Sequence, residues 1–127
     1  MHVAHVAVWT ADLERLSAFY TRFFGAQPGA PYRSRSRPFE SVFLSLGEGA
    51  RLELMRVPGL LPRAGPDPRV GLAHLAVAAG SRADVDRVTA ELEAAGHPVI
   101  GRPRTTGDGY YESVVLDPDG NTVEITP

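Results

Sequence analysis

The apolar positions of this chain switch from a period of two to a period of three or four and back again, and they do so twice in the same order. Residues 2–9 alternate, with Ala4, Val6 and Val8 on one face and Val3, His5, Ala7 and Trp9 on the other, which predicts a strand. Leu13, Leu16, Tyr20, Phe23 and Phe24 then form a helical stripe. Thr10 or Asp12 is suited to cap it and Gly25 to stop it. A short extended piece at 30–33 and strands at 40–46 and 51–56 follow, the last two joined across Gly47-Glu48-Gly49. In the second of these, Leu52 and Leu54 share one face and Arg51, Glu53 and Met55 the other.

The pattern restarts at residue 71. A strand at 71–78 contains His74, and Ser81 with Asp84 makes a capping box for a helix carrying Val85, Val88 and Leu92 that Gly96 stops. Strands at 99–101, 111–116 and 122–126 complete the copy. The last two flank Asp117-Pro118-Asp119-Gly120, in which proline pre-sets φ and glycine accepts a positive φ, a strong hairpin signal. Beyond it Val123 and Ile125 point one way and Thr122, Glu124 and Thr126 the other. Gly25 and Gly96, Gly49 and Gly120, and Glu53 and Glu124 each lie 71 positions apart, and His5 and His74 lie 69 apart. The expectation is an α+β domain over 1–127 built from two pseudo-symmetric βαβββ modules that form a curved mixed sheet with helices outside. Module 1 covers about 1–57, a proline-rich connector about 58–70, and module 2 about 71–127.

Composition narrows the chemistry. The chain has no cysteine, which removes disulfides, thiolate ligands and cysteine nucleophiles, and all thirteen of its basic residues are arginine, which removes a lysine Schiff base. A net charge of −2 leaves no footprint for nucleic acid or membrane. The first ten residues lack the basic-then-apolar order of a signal peptide, so a cytoplasmic location is expected.

Each module thus offers one histidine from its first strand and one glutamate from its last. Taken singly, these read as hydrogen-bonded histidines and solvated strand carboxylates. Four such residues at symmetry-matched places read instead as nitrogen and oxygen ligands for one divalent metal, with Ni, Co, Zn, Fe and Mn all admissible. Ala7 and Ala76, two positions beyond each histidine, leave room beside it.

On His5, Asp12-Leu13, Phe19-Tyr20, Leu52-Glu53-Leu54, residues 71–77, Asp117-Pro118-Asp119-Gly120-Asn121 and Val123-Glu124-Ile125, the chain resembles the vicinal oxygen chelate superfamily. That superfamily includes glyoxalase I, bleomycin-binding proteins, fosfomycin resistance proteins, extradiol dioxygenases and methylmalonyl-CoA epimerase. The resemblance implies a metal bound by His5, Glu53, His74 and Glu124, the ligand set of glyoxalase I. There the metal binds two adjacent substrate oxygens while a coordinating glutamate moves a proton, so Glu124 or Glu53 is the implied catalytic base. It also implies a small-molecule substrate and a homodimer. Trp9 and Val57 stand where glutathione-using relatives commonly carry arginine and asparagine. An indole in place of an arginine fork favours apolar contact over a charge pair, and points to a vicinal-oxygen substrate other than a glutathione hemithioacetal.

Trp9, Met55, Arg104, Tyr110 and Tyr111 are the candidate substrate-pocket residues; for the two tyrosines, packing at the sheet end is the competing reading. Arg33, Arg35 and Arg37 read as a charged edge that resists aggregation. The leading function is a metal-dependent isomerase or lyase of the glyoxalase I type. The alternatives are a non-catalytic antibiotic- or metabolite-binding protein of the bleomycin-resistance type and a metal-dependent resistance enzyme of the fosfomycin type.

Overall fold

The computed structural model describes residues 1–63, 65, 68 and 70–127. Of the expected connector, Ala64, Pro66, Asp67 and Arg69 lie outside the described residues. The chain divides into two compact units, Met1–Pro62 and Arg63–Pro127.

In the first unit, β1 (His5–Trp9) leads into α1 (Leu13–Phe24), two short strands β2 (Gln27–Pro28) and β3 (Tyr32–Arg33), and the longer β4 (Glu40–Ser45) and β5 (Arg51–Arg56). The sheet order is β1-β5-β4-β2, with β3 also paired to β4; β1 runs parallel to β5 and the other pairs are antiparallel. Asp12 is the N-cap of α1, accepting from the Arg15 N–H at 2.9 Å, while the Thr10 hydroxyl ties down both backbone groups of Asp12. At the other end Gly25 turns left-handed at φ 66°, and the N–H groups of Gly25 and Ala26 return to the carbonyls of Thr21 and Tyr20. The stripe Leu16, Phe19, Tyr20 and Phe23 is buried with Val42, Leu44, Leu52 and Leu54, one face of β4 and β5. The other face carries Ser41, Phe43, Glu53 and Met55.

The second unit repeats the plan with β6 (Leu75–Ala78), α2 (Arg82–Ala94), β7 (Val99–Thr105), β8 (Tyr111–Leu116) and β9 (Thr122–Thr126) in the order β6-β9-β8-β7. Again the first strand runs parallel to the last. The Ser81 hydroxyl caps α2, accepting from the Asp84 N–H and donating to the Asp84 carboxylate. Val85, Val88 and Leu92 are buried with Val115, Val123 and Ile125. One polar pair shares this core. The Thr89 hydroxyl donates back to the Val85 carbonyl, so Ser113 must be the donor in the 2.6 Å bond between the two hydroxyls.

The α+β class and the paired modules are therefore present, expressed as two mixed sheets. Four local expectations need correction. The strand expected at 2–9 begins only at His5, where pairing with Arg51 of β5 starts. The strand expected at 71–78 begins only at Leu75, where ladder pairing starts opposite Val123; His74 precedes the strand. The short strand expected at 99–101 runs on to Thr105 through two register shifts, which accommodate Pro103, a residue with no N–H to donate, on an edge strand. In the turn before β5 the positive φ falls on Gly47 at 59°, so Gly49 matches Gly120 in position and not in backbone conformation.

The hairpin before Glu124 is held by one side chain. The Asp117 carboxylate is nearly inaccessible and accepts from the N–H groups of Asp119 and Asn121 and from the Asn121 amide at 2.8–2.9 Å. Asp117→Ala leaves two backbone donors without that acceptor, at about 1–3 kcal/mol each. Urea unfolding should show a loss of about 2–4 kcal/mol for Asp117→Ala and a smaller one for Asp117→Asn, which keeps an acceptor oxygen.

Candidate functional site

Strand pairing decides which chemistry meets on each sheet. In the first unit His5 stands opposite Arg51, and Ala7 stands opposite Glu53. His5 and Glu53 are thus diagonal neighbours on the face away from α1, and the methyl of Ala7 leaves space beside the carboxylate. In the second unit Ala76 stands opposite Glu124, with His74 two positions before it. The same diagonal is repeated. His5 Nε2 lies 3.7 Å from Glu53 Oε2, and His74 Nε2 lies 2.8 Å from Glu124 Oε2. Both imidazole side chains are nearly half exposed, whereas the carboxylates are only 13% and 17% exposed.

These spacings can be tested against a metal. Imidazole nitrogen and carboxylate oxygen about 2.1 Å from one ion lie about 3.0–3.4 Å apart for ligand angles between 90° and tetrahedral. The two observed separations fall on either side of that range. The donor types, one nitrogen and one oxygen in each unit, suit a divalent ion without thiolate, and holding one would bring the first pair closer together and move the second apart. Among the described residues, no group of three or more His, Asp or Glu side chains is gathered in a geometry for a metal.

The two pairs have different surroundings. In the first unit the His5 ring meets Phe43 edge-on at 5.3 Å, and the Arg51 guanidinium lies 4.3 Å over the same ring. In the second unit Val114 takes the place of Phe43, and a further carboxylate, Glu112, hydrogen-bonds Glu124. That bond is the main reason the Glu112 carboxyl is raised above its ordinary value; desolvation and the Glu124 charge add to it, while Arg104, 3.2 Å away, acts against it. Glu112 was not anticipated from the sequence. The hairpin register contained the signal: pairing Val114 with Glu124 places Glu112 on the same face.

Among the candidate pocket residues, Trp9 is half exposed and stands opposite Met55 on the face that carries His5 and Glu53. Arg104 pairs across the ladder with Glu112. Tyr110 is exposed just beyond a turn, its carbonyl accepting from the Thr106 N–H and hydroxyl. Tyr111 belongs elsewhere: it lies on the α2 side of the sheet, with its hydroxyl donating to Asp86 and Arg82 stacked on its ring. Strand alternation puts it on the face of Ser113 and Val115. A cleft of about 590 Å³ in the first unit, lined in part by Arg33, Phe39, Glu40 and Arg56, holds none of the four candidate ligands. Arg33 and Arg56 both bind Glu40 there and hold its carboxyl below the ordinary value, Arg56 contributing most.

Because the folded state holds the Glu112 proton more tightly than the unfolded chain, its contribution to stability is complete below the ordinary carboxylate value and is lost as pH rises through the raised one. Thermal unfolding in EDTA should show stability declining with pH just above the ordinary carboxylate range. Glu112→Gln, which has no proton to lose, should flatten that decline.

A model of the glyoxalase/bleomycin resistance protein/dioxygenase superfamily matches residues 2–125. The uncharacterized protein YqjT of Bacillus subtilis (strain 168) is 45% identical over 60 residues, which is 45% of this chain and 47% of that protein. The chain thus aligns with about half the length of that curated relative. A glyoxylase/bleomycin resistance protein/dioxygenase domain from Frankia sp. EAN1pec matches with a TM-score of 0.85 at 21% identity, covering 99% of this chain and 96% of that one. Glyoxalase I from Zea mays matches with a TM-score of 0.81 at 22% identity, covering 98% of this chain and 44% of that one. At such identities the solved structures speak for the fold. With a family match over nearly the whole chain and a β–α–β plan repeated in both units, the chain belongs to the glyoxalase/bleomycin resistance protein/dioxygenase superfamily.

Proposed function

We propose that this protein is a metal-dependent isomerase or lyase of the glyoxalase I type, acting on a small molecule with adjacent oxygens. The observation that carries the reading is the repeated diagonal: a histidine and a glutamate at matching places on each sheet, with their donor atoms 3.7 and 2.8 Å apart. In this reading His5, Glu53, His74 and Glu124 together hold one divalent ion, drawn from Ni, Co, Zn, Fe or Mn, in a homodimer. When bound, such an ion acidifies a C–H bond beside the coordinated oxygens by stabilising negative charge as it forms.

The chain's own residues have separable tasks. His5 and His74 offer their Nε2 atoms as the nitrogen ligands. Glu53 and Glu124 are the carboxylates in reach of a substrate proton, and the hydrogen bond to Glu112 gives Glu124 a second carboxyl with which to share it, so Glu124 is the base and Glu53 the retained ligand. Trp9 and Met55 offer an apolar wall, which favours a substrate other than a glutathione hemithioacetal. The half-exposed indole also supports a second reading, a non-catalytic protein that holds an antibiotic or metabolite against aromatic walls. Among the described residues, no helix is long and apolar enough to cross a membrane.

Elemental analysis of protein purified without added metal separates the two readings. The enzyme reading expects a divalent transition metal in the protein and its loss on treatment with chelator. His74→Ala should weaken metal retention by more than the 10–100-fold typical of an outer-shell partner. Ligand binding untouched by chelator and by Glu124→Gln, in a protein that takes up no divalent metal, would establish the binding-protein reading instead. Either way, little turnover of the methylglyoxal–glutathione hemithioacetal is expected.

A further inference from the structure

On β7 and β8 of the second unit the sheet opens into a groove of about 450 Å³ lined by Ile100, Gly101, Arg102, Pro103, Arg104 and Val114. Its walls are mostly aliphatic. Its one strongly directional feature is the way the Arg104 guanidinium is mounted. Nη2 of Arg104 donates to Glu112 at 3.2 Å, which tethers one arm of the fork. Nη1 lies over Gly101, where an added Cβ would come within 3.0 Å of it and within 3.2 Å of two Val114 side-chain atoms. The register shifts on both sides of Gly101 bring this bare backbone under the guanidinium. Among the described residues Nη1 has no hydrogen-bond partner. Arg102, the groove's other arginine, is committed to the opposite face through two hydrogen bonds to Glu93 of α2.

We infer that Arg104, seated over Gly101 and held by Glu112, is the specificity-determining residue for a carboxylate on the substrate. This deepens the reading under Proposed function and rests on it for the word substrate; the anion site itself requires no metal. The Arg104 side chain is about half exposed, and a guanidinium with one free edge recognises an oxyanion by charge-assisted hydrogen bonds. A monoanionic carboxylate suits the site better than a dianionic phosphate, because the guanidinium already holds Glu112, which is itself hydrogen-bonded to Glu124, and these acids repel excess negative charge. The aliphatic walls of Ile100, Pro103 and Val114 favour an apolar body attached to that carboxylate. The ligand class is thus a small organic acid with an apolar substituent.

The test uses isosteric pairs, mandelate against mandelamide and benzoate against benzamide, titrated calorimetrically into the full chain in EDTA and again after nickel loading. The acid of each pair should bind about tenfold or more tightly than its amide. Arg104→Gln and Gly101→Val, the second of which displaces the guanidinium without altering charge, should abolish that preference, while Arg102→Gln should retain it. Circular dichroism of each variant confirms folding, and Arg104→Lys, with charge but no fork, should restore only part of the preference. Equal binding of acid and amide, no saturable binding of either acid, or a preference that survives Arg104→Gln overturns the assignment. A preference that persists in protein unable to take up nickel refutes the metal reading and leaves the anion site standing. Nickel uptake with no acid preference refutes the anion site alone.

Discussion

Parallel pairing of the first strand of each unit with its last is the constraint on which the rest depends. Two parallel strands cannot be joined by a hairpin, so the chain leaving β1 must cross over through α1 before it returns as β5, and the chain leaving β6 must do the same through α2 before β9. Each crossover helix covers one face of its sheet with an apolar stripe, and the opposite face carries the histidine and the glutamate. Parallel register then makes residues near the start of the first strand diagonal neighbours of residues in the last, which is how an imidazole far away in sequence comes within a few ångströms of a carboxylate.

The repeat of this arrangement is close in backbone and loose in chemistry. Both helices are capped by an acceptor side chain, Asp12 in one unit and Ser81 in the other. Both glutamates face alanine across the parallel pair. Around them the units diverge. Phe43 and Arg51 stack beside His5, which makes the first pair an apolar, cationic corner, while Glu112 and Arg104 surround the second with an acid and its counter-charge. Among the described residues, Glu124 has a second carboxyl hydrogen-bonded to it, whereas Glu53 has Phe43 opposite it.

Much of this was legible in the sequence because it depends on local rules. Glycine at the end of α1, Ser81 three residues before Asp84, and Asp-Pro-Asp-Gly between two apolar runs each act over one turn of chain, and each predicted its element. Val123 and Ile125 are inaccessible and Glu124 faces the other way, as alternation required. What escaped depends on pairing between distant segments. His74 falls outside β6 because the ladder on β9 begins one residue too late to include it. Tyr111 turns towards α2 because alternation along β8 groups it with Ser113 and Val115, and the register of β8 on β9 brings Glu112 to Glu124. The length of β7 was hidden by Gly101 and Pro103, which look like strand breakers and are instead carried by an irregular edge.

The central claim is that the two histidine–glutamate pairs act as one ligand set. X-ray absorption at the metal edge of the nickel- or zinc-loaded protein tests it most directly, because multiple scattering counts imidazole rings. The account predicts two imidazole nitrogens and two carboxylate oxygens at about 2.0–2.2 Å, with one imidazole lost in His5→Ala and one in His74→Ala. A spectrum with a single imidazole, unchanged by one of those two substitutions, would contradict it.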